Sequence, residues 1–206
     1  IVNTMKTAQK NTLICSFTGA ILCFFCTTVF ASTTELSLNN EHVELRNYLQ
    51  QTIDSSESFE DKYSAEVWLL DMSTRLEPFV SDHEERMHIL RTVHHEASKV
   101  GLQPDLVLAL IHIESRFDRF ALSVAGAQGL MQIMPFWKKE LGREDDNFAN
   151  IETNLRYGCT ILKFYLDKEN GHLSRALARY NGSTGKTWYP EKVMSKWQDY
   201  WVAGQA

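Results

Sequence analysis

The sequence predicts an all-α protein. Apolar residues recur at helical spacing in several segments, and no segment shows the sustained alternation that is typical of a strand. The stretch 106–113 is apolar on nearly every side, which indicates a helix buried in the middle of a domain, because no face of it suits water. With 206 residues, of which 44% are hydrophobic, the chain is long enough to form one substantial core.

The N-terminal stretch has the organisation of a signal peptide. Residues 1–31 contain no acidic residue, Lys6 and Lys10 precede an apolar run over 13–30, and Val29-Phe30-Ala31 resembles a small-residue cleavage site. We therefore predict that residues 1–31 are a signal peptide and that the mature protein is exported to the periplasm. The alternative is that residues 13–30 remain uncleaved and anchor the protein to the inner membrane.

The next stretch, residues 32–80, is predicted to form a small helical segment without chemistry of its own. Two helices are expected, over 41–53 and 65–76, and Val67 and Leu70 with their neighbours give the second helix an apolar side. We expect this segment to pack on the main domain. Binding to a secretion system or to cell-wall machinery is the other possible role.

Residues 81–206 are predicted to form the main domain, and its helix boundaries are marked by capping residues. Ser81-x-x-Glu84 reads as a capping box, Pro104 suits a first helical turn, and Asn150 can cap a long helix. The expected helices are 81–100, one from Pro104 to about Glu114, 136–141, one from Asn150 to about Lys168, 173–179, and a last helix opened by Pro190.

Charge and cysteine content exclude several classes of function. Without Lys6 and Lys10, 19 of the 21 basic residues remain against 26 acidic ones, a net charge of −7. Nucleic acid is therefore not expected as a partner, since phosphate binding needs a basic face. Only Cys159 lies beyond residue 31, so it is expected to be an inert core residue and not half of an intramolecular disulfide. His94-His95-Glu96 lacks the helical spacing of a metal site, and no metal is predicted.

Glu114 stands at the far end of the predicted buried helix. A carboxyl group in that position is costly to ionise, which raises its pKa and lets it act as a general acid near neutral pH. The alternative is a helix-end glutamate that reaches solvent or pairs with Arg116 or Arg119. The helix alone does not decide between the two.

A motif that follows Glu114 favours the catalytic interpretation. Small residues form a loop in which the backbone can approach a ligand closely. They are Ser123, Gly126, Ala127 and Gly129. An apolar run over 130–135 comes next, and its polar member, Gln132, can both donate and accept hydrogen bonds. The window E-S-x-F-D, then S-x-x-G-A-x-G-L-M-Q-I-M-P, resembles the signature of the family-1 lytic transglycosylases. Those bacterial enzymes carry an SLT domain, a lysozyme-like helical fold that cleaves peptidoglycan.

This resemblance covers roughly 90–197 and implies a role for each matching residue. Glu114 would be the only catalytic residue, cleaving the β-1,4 bond between N-acetylmuramic acid and N-acetylglucosamine to give 1,6-anhydromuramoyl products without a cofactor. Asp118 is interpreted as a turn or cap residue, and Ser115 as a support of the helix end. The expected substrate-binding residues are Ser123, Gln132, Met134, Tyr180 and Asn181. The expected partner is the peptidoglycan glycan strand, and the protein is expected to be a monomer.

The chain departs from the family pattern after Tyr180. It reads Y-N-G-S-T-G where members often read Y-N-A-G-P-G, and 185–189 lacks the glutamate-threonine pair that many members carry there. Substrate length and peptide preference are therefore open. Two other functions also remain: a hydrolytic lysozyme of the goose type, which would release reducing-end muramic acid, and a non-catalytic peptidoglycan-binding assembly protein.

Overall fold

The structure, a computed structural model, describes residues 62–140 and 143–202 together with Val43. The predicted signal peptide, and all of the predicted helix 41–53 except Val43, lie outside these residues. The described helices are α1 (Lys62–Leu76), α2 (His83–Lys99), α3 (Pro104–Glu114), α4 (Phe136–Glu140), α5 (Ile151–Lys168), α6 (Leu173–Tyr180) and α7 (Trp188–Lys196), and a π-helical turn (Trp197–Trp201) continues α7.

The prediction of an all-α fold is confirmed for the described residues, which contain isolated β-bridges but no strand. One bridge pairs Leu122 with Gln128, and a second pairs Gln128 with Ile133, so the small-residue loop folds back on itself. Within the same residues, no helix combines the length and the apolar character that a bilayer crossing requires.

Helix α3 lies at the centre of the core. Its residues 106–111 are all 4% exposed or less, as the run of apolar side chains predicted. Pro104 occupies the first turn, where its missing N–H costs no hydrogen bond. Helix α3 packs against α2 on one side and against α7 and the π-helical turn on another, so the position of its C-terminal end is set by several elements.

One predicted cap is wrong and another is confirmed. Helix α2 begins at His83 because Asp82, not Ser81, is the N-cap: the Asp82 carboxylate accepts a hydrogen bond from the Glu85 N–H at 2.7 Å. The Ser81 carbonyl instead accepts from the Arg86 guanidinium at 3.2 Å, which holds that residue in the connection before the helix. Asn150 caps α5 as predicted, through the Thr153 N–H at 2.8 Å.

The predicted apolar side of α1 is confirmed for Trp68 and Leu69, which pack against the core, and wrong for its two other residues. Val67 and Leu70 are 55% and 75% exposed, whereas Met72 and Leu76 are completely buried. Helix α1 contacts α2 and the π-helical turn, and that packing selects the side of the helix that carries Met72 and Leu76. Helix α1 is therefore part of the main core.

The C-terminal helix is tied to α1. Helix α7 starts at Trp188, two residues before the predicted Pro190. Pro190 is tolerated in the first turn of the helix because residues of that turn have no carbonyl to which an N–H would donate. Further on, the Arg75 guanidinium donates to the Tyr200 carbonyl at 2.7 Å, and the Tyr200 hydroxyl donates back to the Arg75 carbonyl at 2.7 Å. These reciprocal bonds fix the end of the described chain against α1.

Candidate active site

Glu114 is the last residue of α3, at a point where the chain turns sharply. Arg116 and Phe117 adopt positive φ angles of 54° and 69°, which ends the helix abruptly. Ser115 stabilises this end as predicted: its hydroxyl donates to the Leu130 carbonyl at 2.8 Å. The carboxyl group is therefore placed by a helix that is itself buried and by a loop that is bonded to the helix end.

The Glu114 carboxyl group is half-buried and has a raised pKa. Burial raises the pKa from its ordinary value of 4.5 to about 7, and the hydrogen bond that the Tyr189 hydroxyl donates to Oε1 acts in the opposite direction. A carboxyl group with such a pKa populates both its acid and its base form at neutral pH. The raised pKa that the sequence predicted for Glu114 is therefore confirmed.

Tyr189 was not among the residues expected at the site. It lies in the first turn of α7 and is 2% exposed. Burial, followed by the charge and the hydrogen bond of Glu114, raises the pKa of its hydroxyl well above the ordinary value, so the hydroxyl stays protonated and donates. A tyrosine immediately before Pro190 was the only local signal, and nothing local shows that α7 begins against the end of α3.

Tyr180, the last residue of α6, lies in the same neighbourhood. Burial raises the pKa of its hydroxyl well above the ordinary range, and the charge of Glu114 adds to that shift. The hydroxyl donates to the Met131 carbonyl at 2.8 Å, which connects α6 to the loop after Glu114. Tyr180 thus helps to hold that loop close to the acid.

Ser123 stabilises the small-residue loop. Its hydroxyl accepts a hydrogen bond from the Ala127 N–H at 2.9 Å, and its own N–H donates to the Ala127 carbonyl at 2.9 Å. A hydroxyl that accepts still carries a proton that it can donate. The arrangement closes the loop and leaves this one donor for a ligand.

Gln132 is positioned by a strained backbone and by the same loop. Its φ angle is 51°, and its side-chain amide donates to the carbonyls of Gly129 at 3.0 Å and Ala121 at 3.2 Å. Both amide protons are therefore used within the loop. No described residue donates to the side-chain oxygen, so Gln132 offers an acceptor.

The two remaining predicted residues are less closely tied to the acid. Met134 is half-buried and packs against the core at the end of the loop. Asn181 is exposed and ends α6, where its N–H donates to the Leu177 carbonyl at 3.1 Å. Among the described residues, the hydrogen bond to Glu114 comes from Tyr189 and not from any of the five predicted substrate-binding residues.

A buried asparagine, which was not predicted, holds the loop from the other side. Asn154 in α5 is 1% exposed; it accepts from the Met131 N–H at 2.8 Å and donates to the carbonyls of Gln128 and Phe148, both at 2.9 Å. The loop approaches α5 and the connection before it so closely that a Cβ on Gly129 would lie 2.4 Å from Asn154 Nδ2 and 2.2 Å from the Phe148 carbonyl oxygen. This contact explains the glycine in the sequence G-L-M-Q.

The neighbouring Asp118 does not form a carboxylate pair with Glu114. Asp118 is exposed, and its Oδ1 accepts from the Phe120 N–H at 2.9 Å, which is the turn role that the sequence predicted. Among the described residues, no other carboxylate shifts the pKa of Glu114. The described residues also contain no group of three or more His, Cys, Asp or Glu side chains that could hold a metal ion.

Comparisons with known proteins show what the chain is similar to. The family model described as the transglycosylase SLT domain matches residues 91–201, which is 111 of the 206 residues and close to the range that the motifs indicated. A transglycosylase of Enterobacteria phage PRD1 is 34% identical over 110 residues, covering 50% of this chain and 40% of that protein. Membrane-bound lytic murein transglycosylase C of Haemophilus ducreyi is 29% identical over 124 residues, covering 52% of this chain and 34% of that protein.

A solved structure is also similar. Lytic transglycosylase Slt from Pseudomonas aeruginosa matches with a TM-score of 0.46 and 27% identity, covering 53% of this chain and 23% of that chain. The chain spans less than half the length of the two curated relatives named above.

Proposed function

The chain belongs to the transglycosylase SLT domain family, and on that premise we propose that it is a peptidoglycan lytic transglycosylase. It would cleave the β-1,4 bond between N-acetylmuramic acid and N-acetylglucosamine and release 1,6-anhydromuramoyl products for cell-wall turnover or remodelling. The observation that carries the proposal is Glu114, a half-buried carboxyl group with a pKa of about 7 and no second carboxylate acting on it among the described residues.

In the first step, protonated Glu114 acts as a general acid. It gives its proton to the oxygen that links the two sugars, the bond from that oxygen to the muramoyl C1 breaks, and N-acetylglucosamine leaves with a free hydroxyl group. The carbonyl oxygen of the substrate's own acetamido group bonds to C1 and stabilises the positive charge. The raised pKa keeps the required proton on Glu114 at neutral pH.

In the second step, the ionised Glu114 acts as a base. It takes the proton from the muramoyl C6 hydroxyl group, whose oxygen bonds to C1 as the acetamido oxygen leaves. The 1,6-anhydro ring forms, and Glu114 is protonated again for the next cycle. The two steps consume no water and need no cofactor, and the Tyr189 hydrogen bond supports the carboxylate formed between them.

The surrounding residues are proposed to bind the substrate. The Gln132 side-chain oxygen can accept from an amide N–H of the acetamido group, and the Ser123 hydroxyl can donate to a sugar oxygen. Met134, Tyr180 and Asn181 are proposed to line the cleft.

The test is to digest purified sacculi with the protein and to identify the products by mass spectrometry. We expect 1,6-anhydromuramoyl ends from the unsubstituted chain and none from a folded Glu114→Gln variant. The matched control is Asp118→Asn, which should keep its activity because asparagine suits the exposed turn equally well. Reducing-end muramic acid as the product would replace the proposal with the goose-type hydrolase. Equal loss of activity in both folded variants would replace it with a two-carboxylate hydrolase.

The location and the segment roles are proposals of the same kind. We propose that residues 1–31 direct export to the periplasm, that residues 81–206 form the catalytic domain, and that residues 32–80 support it or bind cell-wall machinery. Sequencing the N-terminus of the mature protein tests the first point. A protein that still carries residues 13–30 and that only detergent extracts would be membrane-anchored.

A further inference from the structure

An exposed tryptophan lies beside the hydrogen-bond partner of Glu114. The Trp188 side chain is 48% exposed, and its ring centroid is 5.8 Å from that of Tyr189, with the two planes at 84°. Because the Tyr189 hydroxyl bonds to Glu114, Trp188 is two contacts from the acid. An indole in such a position offers a ligand a large apolar surface near the reacting region.

A lysine lies over the ring of this tryptophan. Lys192 is one turn further along α7, and its Nζ lies 5.3 Å from the centroid of the Trp188 ring. The cation–π contact holds an exposed ammonium group beside the indole. The pair thus presents an apolar aromatic surface and a positive charge within one small patch.

The backbone that carries Trp188 is held in place by the short connection between α6 and α7. In that connection Ser183 is 8% exposed, and its N–H donates to the Ala178 carbonyl at 2.8 Å. The Lys186 N–H donates to the Ser183 carbonyl at 2.9 Å, and the Glu191 N–H donates to the Thr187 carbonyl at 2.9 Å. The indole is therefore attached to an ordered part of the chain, which lowers the entropy cost of binding.

We infer that Trp188 and Lys192 form a specificity subsite for the substrate strand. The indole would stack on the apolar face of an N-acetylhexosamine ring beyond the bond that is cleaved. The Lys192 ammonium would pair with a carboxylate of the peptide-bearing muramoyl unit, since a compact cation suits a carboxylate in an exposed position. The inference rests on the proposed function, because it assigns a substrate group to each member of the patch.

The chain supplies a matched control for this subsite. Phe120 is 69% exposed, and the Arg119 guanidinium carbon lies 4.7 Å from its ring centroid, so it also pairs an exposed ring with a cation. Among the described aromatic pairs, Trp188 contacts Tyr189 and Phe120 does not. A Phe120→Ala variant therefore measures what the loss of an exposed ring does in general.

Binding is measured with the full chain carrying Glu114→Gln, so that cleavage does not remove the ligand. Two probes separate the contributions of the Trp188 indole and the Lys192 ammonium group. Purified sacculi carry peptides and carboxylates, whereas a chitooligosaccharide offers N-acetylglucosamine rings alone. We expect Trp188→Ala to raise Kd about tenfold for both probes, as truncation of a contacting aromatic side chain does. Trp188→Tyr should restore most of the affinity, and Phe120→Ala should leave Kd unchanged.

Lys192→Ala should raise Kd about threefold for sacculi and not for the chitooligosaccharide, and its effect should vanish at about 1 M salt. Equal affinities of Trp188→Ala and its parent, or equal losses in Trp188→Ala and Phe120→Ala, would overturn the inference. If the unsubstituted chain still releases anhydro products in that case, the proposed function stands. If the Glu114→Gln parent binds neither probe and the unsubstituted chain releases no anhydro products, both the subsite and the proposed function are overturned.

Discussion

Two polar side chains, the buried Asn154 and the half-buried Glu114, lie on either side of the same loop and differ in how many hydrogen bonds they make. Asn154 makes three hydrogen bonds, to the backbone of Met131, Gln128 and Phe148, with every polar atom of its side chain used. Among the described residues, Glu114 has one hydrogen-bond partner, the Tyr189 hydroxyl, and its pKa is raised to about 7. One group fixes the loop, and the other retains a proton that it can give away.

The difference indicates how a helical core can hold both a rigid loop and a reactive group. A buried polar group with all of its hydrogen bonds formed stabilises the fold, whereas one with fewer partners lowers stability and keeps its chemistry available. Stability and activity should therefore respond in opposite ways at these two positions, and the following substitutions test that contrast.

The largest effect on stability is expected at Asn154. Asn154→Ala leaves the Met131 N–H and the Phe148 carbonyl without these partners, while the Gln128 carbonyl still accepts from the Ile133 N–H. We therefore expect the free energy of unfolding to fall by about 3 kcal/mol. Urea denaturation followed by circular dichroism measures it. Asn147→Ala is the control, because Asn147 is exposed and makes a single bond to the Ala149 N–H, and it should cost about 0.5 kcal/mol. Similar losses in both variants would show that burial adds nothing to the Asn154 bonds.

At Glu114 we expect substitution to raise the free energy of unfolding instead of lowering it. The folded-state pKa of about 7 exceeds the ordinary 4.5, so the unfolded chain loses the proton first and stability falls as the pH rises between these values. Glu114→Gln cannot ionise, and we expect it to raise the free energy of unfolding by about 1–3 kcal/mol at about pH 8 and to have little effect near about pH 4. Denaturation at both pH values tests this. An equal effect at both would mean that ionisation of Glu114 is not the cause.

A more moderate effect is expected at Tyr189. Tyr189→Phe removes the bond that favours the ionised carboxylate, so the pKa of Glu114 should rise further, and the fall in activity at high pH should move to a higher pH. We expect activity at neutral pH to drop about tenfold, because the bond also orients the carboxylate. Release of anhydro products is followed as a function of pH. Tyr157→Phe is the control, since its hydroxyl bonds to Asp146 at 2.6 Å, and it should leave the pH profile in place.

The smallest effect is expected at a third buried group, Cys159. Burial raises the pKa of its thiol well above the ordinary value, which keeps it neutral and a poor nucleophile. Cys159→Ala should lower the free energy of unfolding by about 1 kcal/mol through a small cavity and leave turnover unchanged. Loss of turnover in a folded variant would assign the thiol a function.

The features that the sequence could predict depend on residues close together in the chain. The apolar run of α3 predicted both its burial and the raised pKa of Glu114, since each follows from the same few residues. The cap at Asn150 and the turn at Asp118 are local in the same sense. Ser123 and Gln132 were expected at the site from a family motif, and the structure adds that both are bonded within the loop.

The features that could not be predicted depend on long-range packing. Tyr189 is 75 residues from Glu114 in the chain, and Asn154 is 23 residues from Met131, so no spacing rule connects them. The wrong prediction that Val67 and Leu70 of α1 face the core has the same cause. Val67 and Leu70 are as apolar as Leu76, and only the position of the neighbouring helices decides which side is buried.

The complete burial of residues 107–111 in α3 has a consequence for amide exchange. These side chains are 0% exposed, so we expect their amide hydrogens to exchange with water only when the whole domain unfolds. Smaller, local openings should leave this part of the helix in place, so the slowest-exchanging amides of the domain should mark the element that carries Glu114.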